Sequence, residues 1–225
     1  MALACGCSAG RVAVPLVSPR LASRPAPIFW SEPFDTLDSS WWREIDVRRR
    51  RTHYRITEVN GRRCLHARSH QGASILISGV RFNPGTYAWL SWDWRVDRLV
   101  EGEALDRKEG SDAAARVYVY FDTHGMPWQK RSLDYVWSAS RPVGTILSSA
   151  FSPESKIIVA ASGRTFLGRW RHVSRNLKDD YASGFGGPMP PVIAIGLMTD
   201  TDNTGGEAEA YFDDLAVSRD PIPRP

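Results

Sequence analysis

Through most of the chain apolar and polar residues alternate with a period of two, in runs rich in β-branched and aromatic residues and bounded by Gly, Pro and Asn. That pattern predicts strands at residues 54–59, 64–67, 75–82, 87–96, 113–122, 133–138, 157–161, 170–173, 192–198 and 208–217. Asn60-Gly61 supplies the two positive φ angles of a type I′ turn, so the first pair of strands forms a hairpin. Asn83-Pro84-Gly85 marks another turn. In the 87–96 run, Leu90, Trp92, Trp94 and Val96 share one face, which is assigned to the core. In the 113–122 run, Ala115, Val117, Val119 and Phe121 share one face, and Arg116, Tyr118, Tyr120 and Asp122 the other. A period near 3.6 is nearly absent, and residues 177–185 are the one plausible short helix. Many strands without βα alternation predict an all-β, antiparallel two-sheet β-sandwich, a jelly roll in preference to a closed barrel.

Composition sharpens this picture in places. A length of 225 residues at 42% hydrophobic and 24% charged excludes a disordered chain and allows a core that needs neither metal nor disulfides. No run approaches the roughly 18 apolar residues of a membrane span. The net charge of +4 rests on 29 basic residues, of which only four are Lys. The single basic cluster, Arg48 to Arg51, reads as a solvated face, so nucleic acid is not the expected partner.

Cys5 and Cys7, among small residues, look like the end of a lipoprotein signal whose basic and apolar parts are missing. The reading is a signal remnant and flexible tether over residues 1–28, a sandwich domain over 29–218 and a Pro-rich tail over 219–225. The expected location is the periplasm or cell envelope, with a lipid anchor.

Chemistry is less explicit. Gly-x-Ser-x-Gly does not occur, Cys64 has no obvious oxyanion donors, and the five His lack zinc spacing. Asp112, Asp122, Asp134, Asp180, Asp200 and Asp202 leave a paired-carboxylate, glycan-cleaving site open as an alternative. A protein-interaction domain of the envelope is a second alternative. The densest polar segment, Met198 to Gly206, is oxygen-rich: it suits a bound ligand or calcium, and equally a loop capped by its own Asp, Asn and Thr side chains. Nine Trp and seven Tyr offer flat faces for sugar rings.

Trp92-Asp93-Trp94-Arg95-Val96, Asp112 to Phe121, Asp134-Tyr135-Val136-Trp137-Ser138, Gly168-Arg169-Trp170, Arg175 to Tyr181, Phe185-Gly186 and Met198 to Gly205 resemble, in order, the bacterial family called domain of unknown function 3047. That resemblance implies export but no activity. Tyr211-Phe212-Asp213-Asp214-Leu215 more distantly resembles the last strand of jelly-roll carbohydrate-binding modules. By that likeness Asp213, with Asp35, would hold a structural calcium. The combined expectation is non-catalytic binding of a saccharide or envelope ligand. Tyr118, Tyr120, Tyr135, Trp137 and Trp128 would stack on it, while Asp112, Arg116, Arg175, Asn176, Asp180, Asp200, Asp202 and Asn203 orient its hydroxyls directly or through one metal. A buried ion-pair network that only anchors loops would place the same charges.

Overall fold

A computed structural model describes residues 27–223, except residue 125 and residues 127–129. Trp128 and the Cys5 and Cys7 segment therefore lie outside the described residues. Two sheets face each other. Sheet A contains β1 (Ile28–Glu32), β3 (His53–Val59), β4 (Arg62–His70), β6 (Trp89–Arg98), β11 (Arg171–Asn176) and β13 (Glu207–Ser218), in the order β11-β6-β13-β4-β3 with β1 also on β13. Sheet B contains β2 (Trp42–Asp46), β5 (Ser74–Ser78), β7 (Ala115–Phe121), β8 (Ser132–Ser138), β9 (Ile146–Ser148), β10 (Ser155–Ser162) and β12 (Val192–Met198), in the order β2-β5-β12-β7-β8-β10-β9. The short helix α1 (Leu177–Gly184) follows β11 directly.

The sandwich and its helix agree with the sequence pattern, with one correction. Sheet B is mixed, because β10 runs parallel to β8. The cause is topological: after β8 the chain makes β9 antiparallel to β10 and outside it, so β10 inserts between its two predecessors and must run in the direction of β8.

The tryptophan row of β6 faces inward as its alternation predicts. Trp92 meets Trp94 edge-on at 5.3 Å and Tyr135 of β8 at 5.2 Å, while Trp94 lies 5.9 Å from Trp137, all with ring centroids well inside aromatic contact range. Val117, Val119, Phe121, Ile195, Leu197 and Phe212 complete the same cluster. In the β3–β4 hairpin Asn60 and Gly61 both adopt positive φ, 54° and 78°. Leu105, Ala113, Val136, Ile157 and Val159 form a second small cluster on the other side of β8 and β10, beneath the connection that precedes β7. The outer face of sheet B is thus covered at that end and half-open in its middle.

A candidate ligand face on sheet B

β7 is the middle strand of sheet B, and its even-numbered side chains point away from the core. Tyr118 and Tyr120 stand there half-buried, their rings nearly parallel at 12° with centroids 5.6 Å apart. Two features of the neighbouring strands create this pair. In β12, Gly196 lies opposite Tyr118, and a Cβ at that position would come within 3.1 Å of Ile75 and 3.5 Å of the Tyr120 ring. Glycine leaves the floor on which the Tyr120 ring rests. In β8, Asp134 lies opposite Tyr118 and accepts hydrogen bonds from Ser132 Oγ at 2.7 Å and Ser155 Oγ at 2.6 Å. Burial pushes the Asp134 carboxyl up, against the opposing pull of the two serines and Arg116. The Tyr118 hydroxyl donates to Met198 Sδ at 3.4 Å, whereas the Tyr120 hydroxyl has no hydrogen-bond partner among the described residues. Desolvation pushes both phenols above their ordinary range, so each stays a neutral donor.

At the far end of the same strand face the charges are closed upon one another. Arg116 is 3% exposed; its Nε donates to Asp200 Oδ1 at 3.1 Å and its guanidinium also reaches the Ser111 carbonyl. Asp200 further accepts the Ala113 amide at 3.1 Å. Asp112, fully buried, accepts from the amide of Asn203 at 3.1 Å, the Asn203 side chain at 2.7 Å, and the amide and hydroxyl of Thr204, both at 2.7 Å. Asp202 pairs with Arg48 at 2.7 Å. Oxygens of Asp112, Asp200 and Asp202 lie within 4.8 Å of one another, close enough for a shared cation. They are already engaged by two guanidiniums and a set of amides, which makes the cluster a joint between β7 and the 199–206 loop. Arg116, Asp112, Asp200, Asp202 and Asn203 thus come together in one hydrogen-bonded network.

Several other expectations need correcting. Tyr135 and Trp137 are wholly buried between the sheets and offer no face to a ligand. The Tyr135 hydroxyl instead donates to Asp180 at 2.8 Å, and Arg175 Nε meets the same carboxylate at 2.9 Å. Asn176 is the N-cap of α1, accepting the Lys178 amide at 3.0 Å, so Arg175, Asn176 and Asp180 fasten the helix. Asp213 and Asp35, the pair implied for calcium, have different surroundings. Asp213 lies opposite Asp93 in β6, and Arg62 from β4 donates to Asp213, to Asp93 at 2.7 Å and to Asp214 at 2.8 Å. A guanidinium already serves as the cation there, and Asp35 is exposed in the loop after β1. The positive φ of Asp214, 48°, and the adjacent bulge let consecutive carboxylates reach one arginine.

With this geometry established, comparison with known proteins places the chain. Residues 40–216 match the family model described as "Protein of unknown function (DUF3047)". The chain belongs to that family. No curated protein matches the DUF3047 chain. Among solved structures it is similar to the family 11 carbohydrate-binding module of a cellulosomal cellulase of Clostridium thermocellum, at 8% identity and TM-score 0.47, covering 87% of this chain and 95% of the module. It is similar to a xylan-binding domain from Paenibacillus barcinonensis at 11% identity and TM-score 0.42, covering 91% and 100%. It is also similar to the xyloglucanase domain of a type three effector from Sinorhizobium fredii at 12% identity and TM-score 0.45, covering 88% and 100%.

The buried carboxylates have a consequence for stability. Burial raises Asp200 to about 7 and Asp213 to about 6, and pushes Asp134 and Glu103 up as well. A carboxyl raised in the fold binds its proton more tightly there than in the unfolded chain. Its stabilisation is fully present below the unfolded value near 3.8 and is lost as pH climbs through the folded value. Melting temperature is expected to fall between pH 5.5 and pH 8, with Asp200→Asn flattening the slope. A higher melting temperature at pH 8 would contradict this assignment.

Proposed function

We propose that this DUF3047 domain binds a neutral saccharide, without turnover, on the outer face of sheet B, and that it does so in the periplasm or cell envelope behind a lipid anchor at Cys5 or Cys7. The observation that carries the binding site is the paired Tyr118 and Tyr120 rings on the central strand, half-exposed above a glycine floor. Two nearly parallel aromatic rings suit the C–H faces of a sugar ring, while the neighbouring hydroxyl suits its polar edge. The Tyr120 hydroxyl, which has no hydrogen-bond partner among the described residues, supplies a donor beside the rings, above the buried, serine-held Asp134.

Isothermal titration against a panel of neutral oligosaccharides tests this reading. Tyr120→Ala is expected to weaken the bound member by about 5- to 30-fold, equivalent to about 1–2 kcal/mol of lost ring contact. Tyr120→Phe, which keeps the ring, is expected to stay within about threefold if stacking dominates. Unchanged affinity for Tyr120→Ala would remove these rings from the site. Detection of a lipidated cysteine by mass spectrometry of the cell-expressed chain tests the location.

A further inference from the structure

A second surface, on the opposite outer face of the sandwich, has a different chemistry. The β3–β4 hairpin forms one edge of sheet A, and its register sets His53 against Arg68 and Arg55 against His66. Alternation places these four side chains on the outer face, with His70 two residues beyond Arg68. Two cavities that share His53 run along this edge. One, of about 500 Å3, is lined by Arg50, Arg51, His53 and His70; the other, of about 360 Å3, by His53, Tyr54, Arg55, His66 and Arg68. Both volumes fall in the range of small-ligand sites.

The cations here are incompletely matched. Arg51 pairs with Asp46 and Arg68 with Glu207, while the His66 and His70 rings hydrogen-bond to Glu209 and Glu207. Arg50 donates to Gln71 and Arg55 Nε to His66 Nδ1 at 3.2 Å, so neither guanidinium meets a carboxylate among the described residues, and His53 meets no partner among them. The backbone that carries Arg50 is fixed: the Ala73 amide donates to its carbonyl at 2.9 Å, and a Cβ on Gly72 would come within 2.8 Å of that oxygen. A guanidinium on a fixed backbone is presented for an incoming acid at reduced cost in ordering.

We propose that this groove is a second binding site, and that it takes the carboxylate groups of a short acidic oligosaccharide. Guanidinium forks match carboxylate geometry bidentately. The span from His66 to His70 is about 13 Å, which accommodates a short oligomer. The one phenol ring in the lining, Tyr54, is turned to the core with its hydroxyl on the Ser74 carbonyl at 2.7 Å. Tyr54 thus offers no ring face to a nucleobase, and the imidazoles of His53, His66 and His70 are the remaining rings of the lining.

The probe is trigalacturonate, titrated at low and at moderate salt into the wild-type domain and into the double variant Arg50→Gln, Arg55→Gln. The wild type is expected to bind it, with affinity falling as salt rises. The double variant is expected to bind at least 10-fold more weakly at an unchanged melting temperature, because both side chains are exposed. A single-stranded oligonucleotide of matched charge is expected to bind more weakly than trigalacturonate. Absence of trigalacturonate binding, an unaltered affinity in the double variant, or tighter binding of the oligonucleotide would each overturn the proposal. Tyr120→Ala should leave trigalacturonate binding intact, which separates this site's failure from failure of the sheet B site.

Discussion

Replacing Arg116 by Met is expected to destabilise the domain by about 3–5 kcal/mol at pH 8, because it strands the Asp200 carboxylate in a dry interior without its guanidinium. For a domain of this size each kcal/mol corresponds to about 2–4 °C in melting temperature, so a drop on the order of 10 °C should be seen. Three features of the structure argue for a loss of this size. Arg116 and Asp200 are both almost inaccessible, they touch at 3.1 Å, and Arg116 also satisfies the Ser111 carbonyl. The deficit should shrink near pH 6, where Asp200, whose proton leaves at about 7, is largely neutral and needs no counter-charge. The double variant Arg116→Met, Asp200→Leu should recover much of the loss, since it removes the charge together with its partner. If the single variant loses less than about 1 kcal/mol at pH 8, the pair does not carry the joint between β7 and the 199–206 loop.

Asp112→Ala is expected to cost about 3 kcal/mol by a different route. The Asp112 carboxylate accepts two backbone amides and two side-chain donors from Asn203 and Thr204, and bonds to a charged acceptor contribute roughly 1.5–3 kcal/mol each before the loop relaxes to water. The loss should be local. Hydrogen exchange at the Asn203 and Thr204 amides is expected to accelerate strongly, while the β7 and β8 amides keep their protection. Asp112→Asn, which retains an acceptor oxygen but not the charge, should fall between the two. Slow exchange at Asn203 and Thr204 in Asp112→Ala would mean that the loop is held by Asp200 and Asp202 instead.

The fold was legible wherever polar and apolar residues alternate along a strand. The Trp92 and Trp94 row, the Val117, Val119 and Phe121 row and the Asn60-Gly61 turn each carry a local signal, and each stands where that signal puts it. β8 shows where the signal ends. Every residue from Ser132 to Ser138 is buried, because the segment around Leu105 and Ala113 covers the side that does not face sheet A. Alternation in such a strand cannot distinguish inside from outside, so Tyr135 and Trp137 look like platform residues while lying in the core. β2, a mostly exposed edge strand, and the three-residue β9 are too weakly patterned to be read at all.

The candidate site was legible to the same degree. Tyr118 and Tyr120 are two residues apart on a strongly patterned strand, so their shared outward face follows from sequence. Asp213 is different, since its partner Arg62 lies 151 residues away and no spacing rule announces it. The acidic 200–206 segment suggests a ligand loop, yet its oxygens are met by Arg48, Arg116 and the Ala113 amide, brought in from elsewhere in the chain. The cationic edge of sheet A also has a signal in the sequence: His53 and Arg55, then His66, Arg68 and His70, repeat basic groups at period two on adjacent strands.

The most direct test of saccharide binding on sheet B is an NMR titration of the domain with the best-bound neutral oligosaccharide, following the ring protons of Tyr118 and Tyr120. The account predicts that these resonances shift saturably, together with the Gly196 and Asp134 amides, while the amides of β3 and β4 stay in place. Saturable shifts confined to sheet A, with the two tyrosines unmoved, would contradict it.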